Sequence, residues 1–526
     1  VKHTAKQIRF QKALKVSDQY TYVATLGNSV YARARRNDGT PIYVEQKYSP
    51  IYYIPCNESD ATHRGFDGTP LIPHMCDTIY EGKEFIQESK LPVFGDIQPE
   101  YMLLSDCYGS KDVHFEMDVL YIWDIDIEVD RDPVKGFAPI EDPFNPVVGI
   151  TVIWRHMGQT GKVIYGLPSS KAAQYVPKAD ETFIRCETEE ELLLRFMDDF
   201  RSGGDYPDIV TGWNIQFFDI PYLVNRCKRL FTEDIWIRLS PLQRMSERRV
   251  ILYGREQIVI DLQGVAILDY YELYQKLRGV QRESYRLDYI GHVELKLRKV
   301  SYEEYRSLDR LYRENYQLFV EYNLRDVQIV EDLDAKLKLI DLVCALAYGA
   351  KSNFADCFKQ VRLWDIMIYH KLRNEGKQIP PRKQEDKSDQ YAGAYVKEPL
   401  VGFHKWVCSF DVASMYPHII REWNLSPEMI VGMGPDFGID VPSNTDGKVE
   451  MALSRQFDLS PLRQDDLTMA VNGAVCRRDA EGFLPNMLKT LYDERIRFKK
   501  MMKDAKKALE KETDPTKRKE LEKSIA

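Results

Sequence analysis

Two acidic residues two apart, Asp126 and Glu128, sit inside the apolar run Val119–Val129 (V-L-Y-I-W-D-I-D-I-E-V). On a strand that spacing sends both side chains out of one face. Carboxylates paired in this way repel and raise each other's pKa unless a cation lies between them. A solvent-exposed strand face carries D-x-E as well, and Asp124 shares the face, so the pair alone does not fix the ligands. A second candidate, Asp219, closes N-I-Q-F-F-D (Asn214–Asp219) just past the apolar run Asp208–Trp213. Pro221 follows it, which sets Asp219 at a helix start beyond a strand end, where open α/β sheets hold their sites. The plain role of such an Asp is to cap the helix. A third element, Tyr322-Asn323-Leu324-Arg325-Asp326, puts Tyr322 and Asp326 four apart on one helix face; a surface hydrogen bond would also account for it. In this order on one α/β domain the three are more specific than each alone. Asp126, Glu128, Asp219 and Asp326 can hold two Mg²⁺ ions roughly 3.5–4 Å apart, one activating water and one stabilising a leaving 3′ oxygen. Tyr322 would orient the water, and the chemistry is metal-assisted hydrolysis of nucleic acid.

Further along, Cys408–Ile420 (C-S-F-D-V-A-S-M-Y-P-H-I-I) reads as a buried strand that delivers Asp411 to a tight turn containing Tyr416 and Pro417. Phosphoryl transfer onto a growing strand needs at least two carboxylates for a metal pair. After Asp479 the sequence becomes a lysine-rich helix, and no second acidic strand is read there.

The elements that must position these residues follow from periodicity. Up to about residue 115 the chain alternates apolar and polar residues, with Asn37-Asp38-Gly39 as a hairpin turn, and reads as β-rich. Strands at Val119–Val129, Val147–Trp154, Lys162–Leu167 and Asp208–Trp213 surround a helix whose start is marked by Thr188 and Glu191. The alternation predicts an α/β domain with a mixed sheet covered by helices. Arg248–Leu262 reads as a hairpin around Tyr253-Gly254-Arg255, and a long helical stretch runs from about Ser307 to Ala347. The polar stretch Gly376–Tyr391, with Pro380-Pro381, marks a domain boundary; Asn444–Gly447 and Asn472-Gly473 mark loops or turns. A last amphipathic helix begins near Pro485, and Asp514-Pro515 starts another.

Composition bounds the rest. The 526 residues, 44% hydrophobic and 29% charged, suit three or four ordinary domains. No apolar run approaches the roughly 18 residues that cross a membrane, so no membrane partner is expected. Nine scattered cysteines without a C-x-x-C pair suit a reducing compartment rather than a disulfide framework or a zinc site. A net charge of −8 excludes a generally basic surface and leaves nucleic acid to local basic grooves.

D-I-E, N-x-x-x-F-D and Y-x-x-x-D are similar to the three exonuclease motifs of proofreading DNA polymerases, and S-F-D-V-A-S-M-Y-P-H-I-I resembles motif A of family B. Leu268-Asp269-Tyr270, Ser284–Tyr289 and Tyr391–Pro399 resemble the replicative polymerases of T-even-type bacteriophages. The resemblance implies a multidomain α/β architecture. An RNase H-like 3′-5′ exonuclease domain would span 116–340, and a β-rich N-terminal domain 1–115 with 341–390. A partial palm would span 391–470, and partial helical fingers 471–526. It implies that Asp411, helped by the Val412 carbonyl, carries the polymerase metals, and that backbone at Ala413, Ser414, Met415 and Tyr416 cradles the triphosphate. Tyr416 would exclude a ribose 2′-hydroxyl. Arg495 and Lys499, one turn apart, would grip the triphosphate, while Asn214, Tyr391 and Gly393 would touch DNA. Met415 and His418 depart from the family's Leu and Ser. The implied cofactor is Mg²⁺, two per active site, with Mn²⁺ substituting. The implied partners are primer-template DNA, a dNTP, and a C-terminal polymerase subunit carrying N-S-x-Y-G and D-T-D-S, with a sliding clamp reached through it.

The expected function is therefore the N-terminal subunit of a split phage polymerase or an equivalent fragment: a proofreading exonuclease with half of a polymerase site, acting in the bacterial host cytoplasm. The competing readings are a stand-alone exonuclease with a vestigial polymerase part and an RNA-binding translational regulator.

Overall fold

The computed structural model describes residues 10–11, 13–132, 134–232, 234–252, 254–382, 396–463, 465–514, 516–518 and 521. The chain divides into two compact units, one of residues 1–65 and 70–381, the other of 66–69 and 382–526.

The larger unit is built on a six-stranded sheet. Its strands are Ile122–Val129, Val147–His156, Gln159–Gly166, Glu181–Arg185, Ile209–Gly212 and Ala266–Asp269. In chain order they lie fourth, third, second, first, fifth, sixth. The first three form an antiparallel meander, and the fifth and sixth run parallel to the first. This is the mixed sheet expected of an RNase H-like domain, with Glu181–Arg185 added at one edge. Alternation along the first strand sorts its faces. Trp123, Ile125 and Ile127 enter a core with Leu192, Leu193 and Phe196 of the Glu189–Phe200 helix. Asp124, Asp126 and Glu128 point to the opposite face, where the Tyr316–Leu337 helix packs over the first two strands. Thr188 caps the Glu189–Phe200 helix by accepting from Glu191 N. The Glu191 carboxylate reaches back to Glu187 N rather than to the cap residue itself.

The N-terminal region is β-rich as expected, with the Ser29–Arg35 and Pro41–Lys47 strands joined through the Asn37–Gly39 turn. It also holds two helices that alternation hid, Ile79–Glu88 and Pro99–Tyr108. Two buried arginines tie this region to the central sheet: Arg33 pairs with Asp208 at 3.1 Å, and Arg35 pairs with Asp205 at 2.8 Å and with Asp208. Asp208 also accepts from Tyr121 N, so one carboxylate fixes the start of two central strands. The hairpin forms from Met245–Leu252 and Arg255–Leu262, with Ile251 largely exposed at its end. The long helical stretch is three helices, Leu308–Glu314, Tyr316–Leu337 and Leu339–Ala350.

The smaller unit contains a three-stranded sheet (Ile430–Met433, Leu467–Met469, Ala474–Arg477) and the helices Met415–Glu422, Thr445–Leu453 and Phe483–Lys511. Two of these helices meet through His418 and Tyr492, whose rings are 5.0 Å apart. Four sequence expectations change here. Asn444 is a helix cap, accepting from Gly447 N, rather than part of a loop. The last helix starts at Phe483, two residues ahead of Pro485. Cys408–Asp411 is not a buried strand: these residues pair with no strand among the described residues and are exposed. A strand without a neighbour leaves its N–H and C=O groups to water, so the apolar pattern alone does not create one. Tyr416 and Pro417 lie in the first turn of the Met415–Glu422 helix, not in a tight turn.

Candidate metal centre

Asp126 and Glu128 leave the first strand on the face covered by the Tyr316–Leu337 helix, and Asp326 descends from that helix. One oxygen from each of the three lies within 4.8 Å of the others. Asp326 Oδ1 is buried and has no hydrogen-bond partner among the described residues. Asp219 is the first residue of its helix, and Oδ1 accepts from Ile127 N at 3.0 Å. That N–H is free for a local reason. The first strand pairs with Ile209–Gly212 only as far as Asp124, and the chain then turns away at Gly212, where a Cβ would stand 2.4 Å from the Ile125 carbonyl oxygen. The glycine admits the Ile125 carbonyl at close range, and Asp219 takes up the Ile127 N–H beyond the last paired residue.

With Glu128, Asp219 and Asp326 buried and Asp126 half-buried beside them, these acids hold protons tightly. Burial first, then Asp219, Glu128 and Asp326, raise Asp126 well above the carboxylate range. Burial and Asp326 push Glu128 up to about 8. Burial raises Asp219 to about 7 against the Ile127 N–H, and Asp326 rises by burial despite Lys299. Oxygen donors of this kind suit hard divalent cations, and the unpartnered Asp326 oxygen gives such an ion a place. The residues fit the ion.

Lys299, absent from the sequence-derived candidates, stands at the rim of this cluster. Its Nζ is 2.5 Å from Asp326 Oδ2 and 3.2 Å from the Tyr322 hydroxyl. Burial works against its charge, but Asp326 and Tyr322 hold it protonated. Asp288 pins its backbone, accepting from Lys299 N at 2.9 Å. Tyr322 stays a neutral phenol, because burial and Asp326 both disfavour its anion. Two more unforeseen residues lie behind Asp126: Asn323 donates to its Oδ2 at 2.6 Å, and Thr151 donates to Asn323 Oδ1. The Lys296–Lys299 stretch (K-L-R-K) gave no signal, since it reads as solvated. Asn323 did leave one, a polar residue beside Val320 and Val327 on a buried helix face.

Asp124 does not join the cluster. It is buried two residues up the strand, where burial and Glu331 raise its pKa and Arg155 lowers it. Asn214 adopts φ 70°. Its backbone N–H and that of Gln216 are held by the buried Asp269 carboxylate at 2.9 and 3.0 Å. The Asn214 amide keeps no protein partner among the described residues.

The second set of candidates is differently placed. Asp411, Val412, Ala413, Met415 and Tyr416 are exposed and Ser414 partly so, with Ser414 at φ 53° just before the Met415–Glu422 helix. Asp411 belongs to no cluster of three metal-ligating groups among the described residues. Around it Leu400, Val401, Phe403, Trp406, Val407 and Phe410 are each at least 75% exposed, a long apolar stretch without cover. Arg495 and Lys499 are exposed on the Phe483–Lys511 helix. Tyr391 and Gly393 lie outside the described residues.

Two family models match: DNA polymerase family B, exonuclease domain, over residues 97–290, and DNA polymerase family B over residues 358–519. The first contains Asp126, Glu128 and Asp219, the second Asp411, Arg495 and Lys499; Lys299, Tyr322 and Asp326 fall between them. The chain is 29% identical to the DNA-directed DNA polymerase of Escherichia phage RB69 and 26% identical to that of Enterobacteria phage T4. Each match covers 92% of this chain and 54% of the relative. A DNA polymerase of Pyrococcus glycovorans is 24% identical over 62% of the chain and 38% of its own length. The chain thus spans about half the length of the phage relatives it matches.

Proposed function

Because the chain belongs to the family B DNA polymerases, we propose that it removes nucleotides from the 3′ end of DNA at the Asp126 cluster and contributes part of a nucleotidyl-transfer site around Asp411. The observation that carries the first half is the convergence of Asp126, Glu128 and Asp326 on one point, with a buried oxygen left free. Residues 116–340 would form the exonuclease domain, with 1–115 and 341–390 as N-terminal domain, 391–470 as partial palm and 471–526 as partial fingers.

Asp126, Glu128, Asp219 and Asp326 would hold Mg²⁺ or Mn²⁺, which supplies Lewis-acid stabilisation of the phosphoryl oxygens and a more acidic water. The chain's own part is positioning. The neutral Tyr322 hydroxyl offers a hydrogen bond to the attacking water, and Lys299 sets that hydroxyl and places positive charge where the phosphate gains negative charge. Asn214, its backbone fixed by Asp269, presents a free amide to the strand end.

Nucleotidyl transfer needs a further carboxylate beside Asp411 and a cover for the apolar stretch Leu400–Phe410. Both would come from a polypeptide segment carrying the D-T-D-S and N-S-x-Y-G elements, with primer-template DNA and a dNTP as substrates in the cytoplasm of a bacterial host. Among the described residues no helix is long and apolar enough to cross a membrane. The test is incubation of the chain with 5′-labelled single-stranded DNA and Mg²⁺ or Mn²⁺. A ladder shortened from the 3′ end is expected, lost in Asp126→Ala/Glu128→Ala; equal shortening by that double variant would refute the assignment.

A further inference from the structure

The hydrogen bonds behind the acidic cluster run in one direction. Thr151 lies directly across the strand pair from Asp126; it is 0% exposed, and Asn323 on the overlying helix is 2% exposed. Asn323 Nδ2 donates to Asp126 Oδ2 at 2.6 Å, and a carboxylate that holds a cation is ionised and can only accept. That fixes the amide: Oδ1 is turned to Thr151, whose hydroxyl is then the donor. Neither residue suits its surroundings otherwise. Phe319, Val320 and Val327 are core on the same helix, and Thr151 sits between Ile150 and Val152 on a fully covered strand. Buried polar side chains that satisfy only one another and one carboxylate are there for the carboxylate.

We infer that Thr151 and Asn323 are positioning residues that aim the Asp126 carboxylate for cation binding, Thr151 acting from two hydrogen bonds away. The inference rests on the metal reading of the site proposed above. Without the Thr151 donor the amide is free to rotate, and an amide oxygen turned toward Asp126 would repel it. Partners of this kind around a metal ligand typically carry about 10–100-fold in metal affinity.

The test is Mn²⁺ titration of the purified full chain, read by the loss of the free-ion paramagnetic resonance signal, with thermal melting alongside. Thr151→Val keeps the side-chain volume and removes the donor; Thr151→Ser keeps the donor. Thr151→Val should weaken Mn²⁺ binding about 10-fold, and strand shortening should recover at saturating Mn²⁺. Thr151→Ser should restore the affinity, and Asn323→Leu should lose about 10–100-fold. Equal affinity in the parent, Val and Ser chains would overturn the relay and leave the exonuclease reading standing. Equal losses in Val and Ser would assign the effect to packing and overturn it too. A parent chain that binds no Mn²⁺ would overturn the metal reading and the relay with it. Mn²⁺ binding without strand shortening would overturn hydrolysis alone.

Discussion

Asp126 and Asp411 each follow a hydrophobic run in the sequence, yet the fold treats them in opposite ways. Asp126 stands on a strand with neighbours on both sides of the sheet and a helix above it. Its carboxylate is met by Asn323 and surrounded by three more acids. Among the described residues, Asp411 lies on a stretch with no strand partner and no acidic cluster, amid exposed Phe403, Trp406 and Phe410. The difference shows that an acidic cluster is made by its neighbours, not by residue type. Repulsion among the acids is held in place by buried backbone and packing, and where these are missing the same residue type is only a solvated charge.

The largest expected effect separates the two regions outright. Asp126→Ala/Glu128→Ala should slow 3′ shortening by about 10³-fold or more, roughly 4 kcal/mol of transition-state stabilisation. Asp411→Ala should leave shortening within about 2-fold, since Asp411 is exposed and outside the acidic trio, and exposed substitutions have small effects. A gel assay with both variants decides it, and loss of shortening in Asp411→Ala would erase the contrast.

Hydrogen exchange sharpens the same comparison. Amides of Ile122–Val129 should exchange orders of magnitude more slowly than those of Cys408–Val412, because only the former are paired and buried. Adding a segment that carries the relatives' missing half should protect Cys408–Val412 and switch on primer extension dependent on Asp411; protection without extension would separate docking from chemistry.

Within the acidic cluster, Tyr322→Phe should cost about 10–100-fold in shortening, as an orienting group does. Asp124→Asn should keep most activity, because Asp124 faces Arg155 and Glu331 rather than the trio. An inactive Asp124→Asn beside an active Asp126→Asn would shift the ligand assignment by two residues.

The smallest effect is on stability. Glu128 and Asp219 have folded pKa values near 8 and 7, above their ordinary range. Groups raised on folding stabilise fully below their unfolded pKa and lose that contribution as pH rises through the folded value. The metal-free chain should therefore melt at a temperature lower by about a few °C at pH 8 than at pH 5.5. Mn²⁺ should offset the loss, and Glu128→Gln should flatten the slope. Calorimetry with and without the ion checks the sign.

What could be read in advance divides along the same line. The D-x-E pair, the Asp at a helix start and the Tyr-x-x-x-Asp turn were visible because each is set by spacing inside one element. The sheet was visible because alternation and apolar runs report burial directly. Thr151 and Lys299 were hidden, since each reaches the cluster from a remote segment. Thr151 arrives through the cross-strand register opposite Asp126, and Lys299 through the Asp288 contact that fixes its loop. The two N-terminal helices were lost to a dominant β pattern, although Thr78 and Glu81 carried a readable cap. The strand expected at Cys408–Asp411 failed for the reverse reason: the local pattern was right for burial, but pairing depends on a neighbour that local pattern does not supply.

The backbone contact of Asp219 has a practical consequence for anyone who tests the proposed 3′ shortening by substitution. Its carboxylate also occupies the backbone N–H of Ile127, the residue between Asp126 and Glu128. Truncating Asp219 would strand a buried donor, at about 1–3 kcal/mol, and loosen the strand that presents Asp126 and Glu128. Inactivity in such a variant would mix lost chemistry with a slackened scaffold. Changes at Asp126 and Glu128 leave that backbone contact in place and so give the cleaner test of the proposed strand removal.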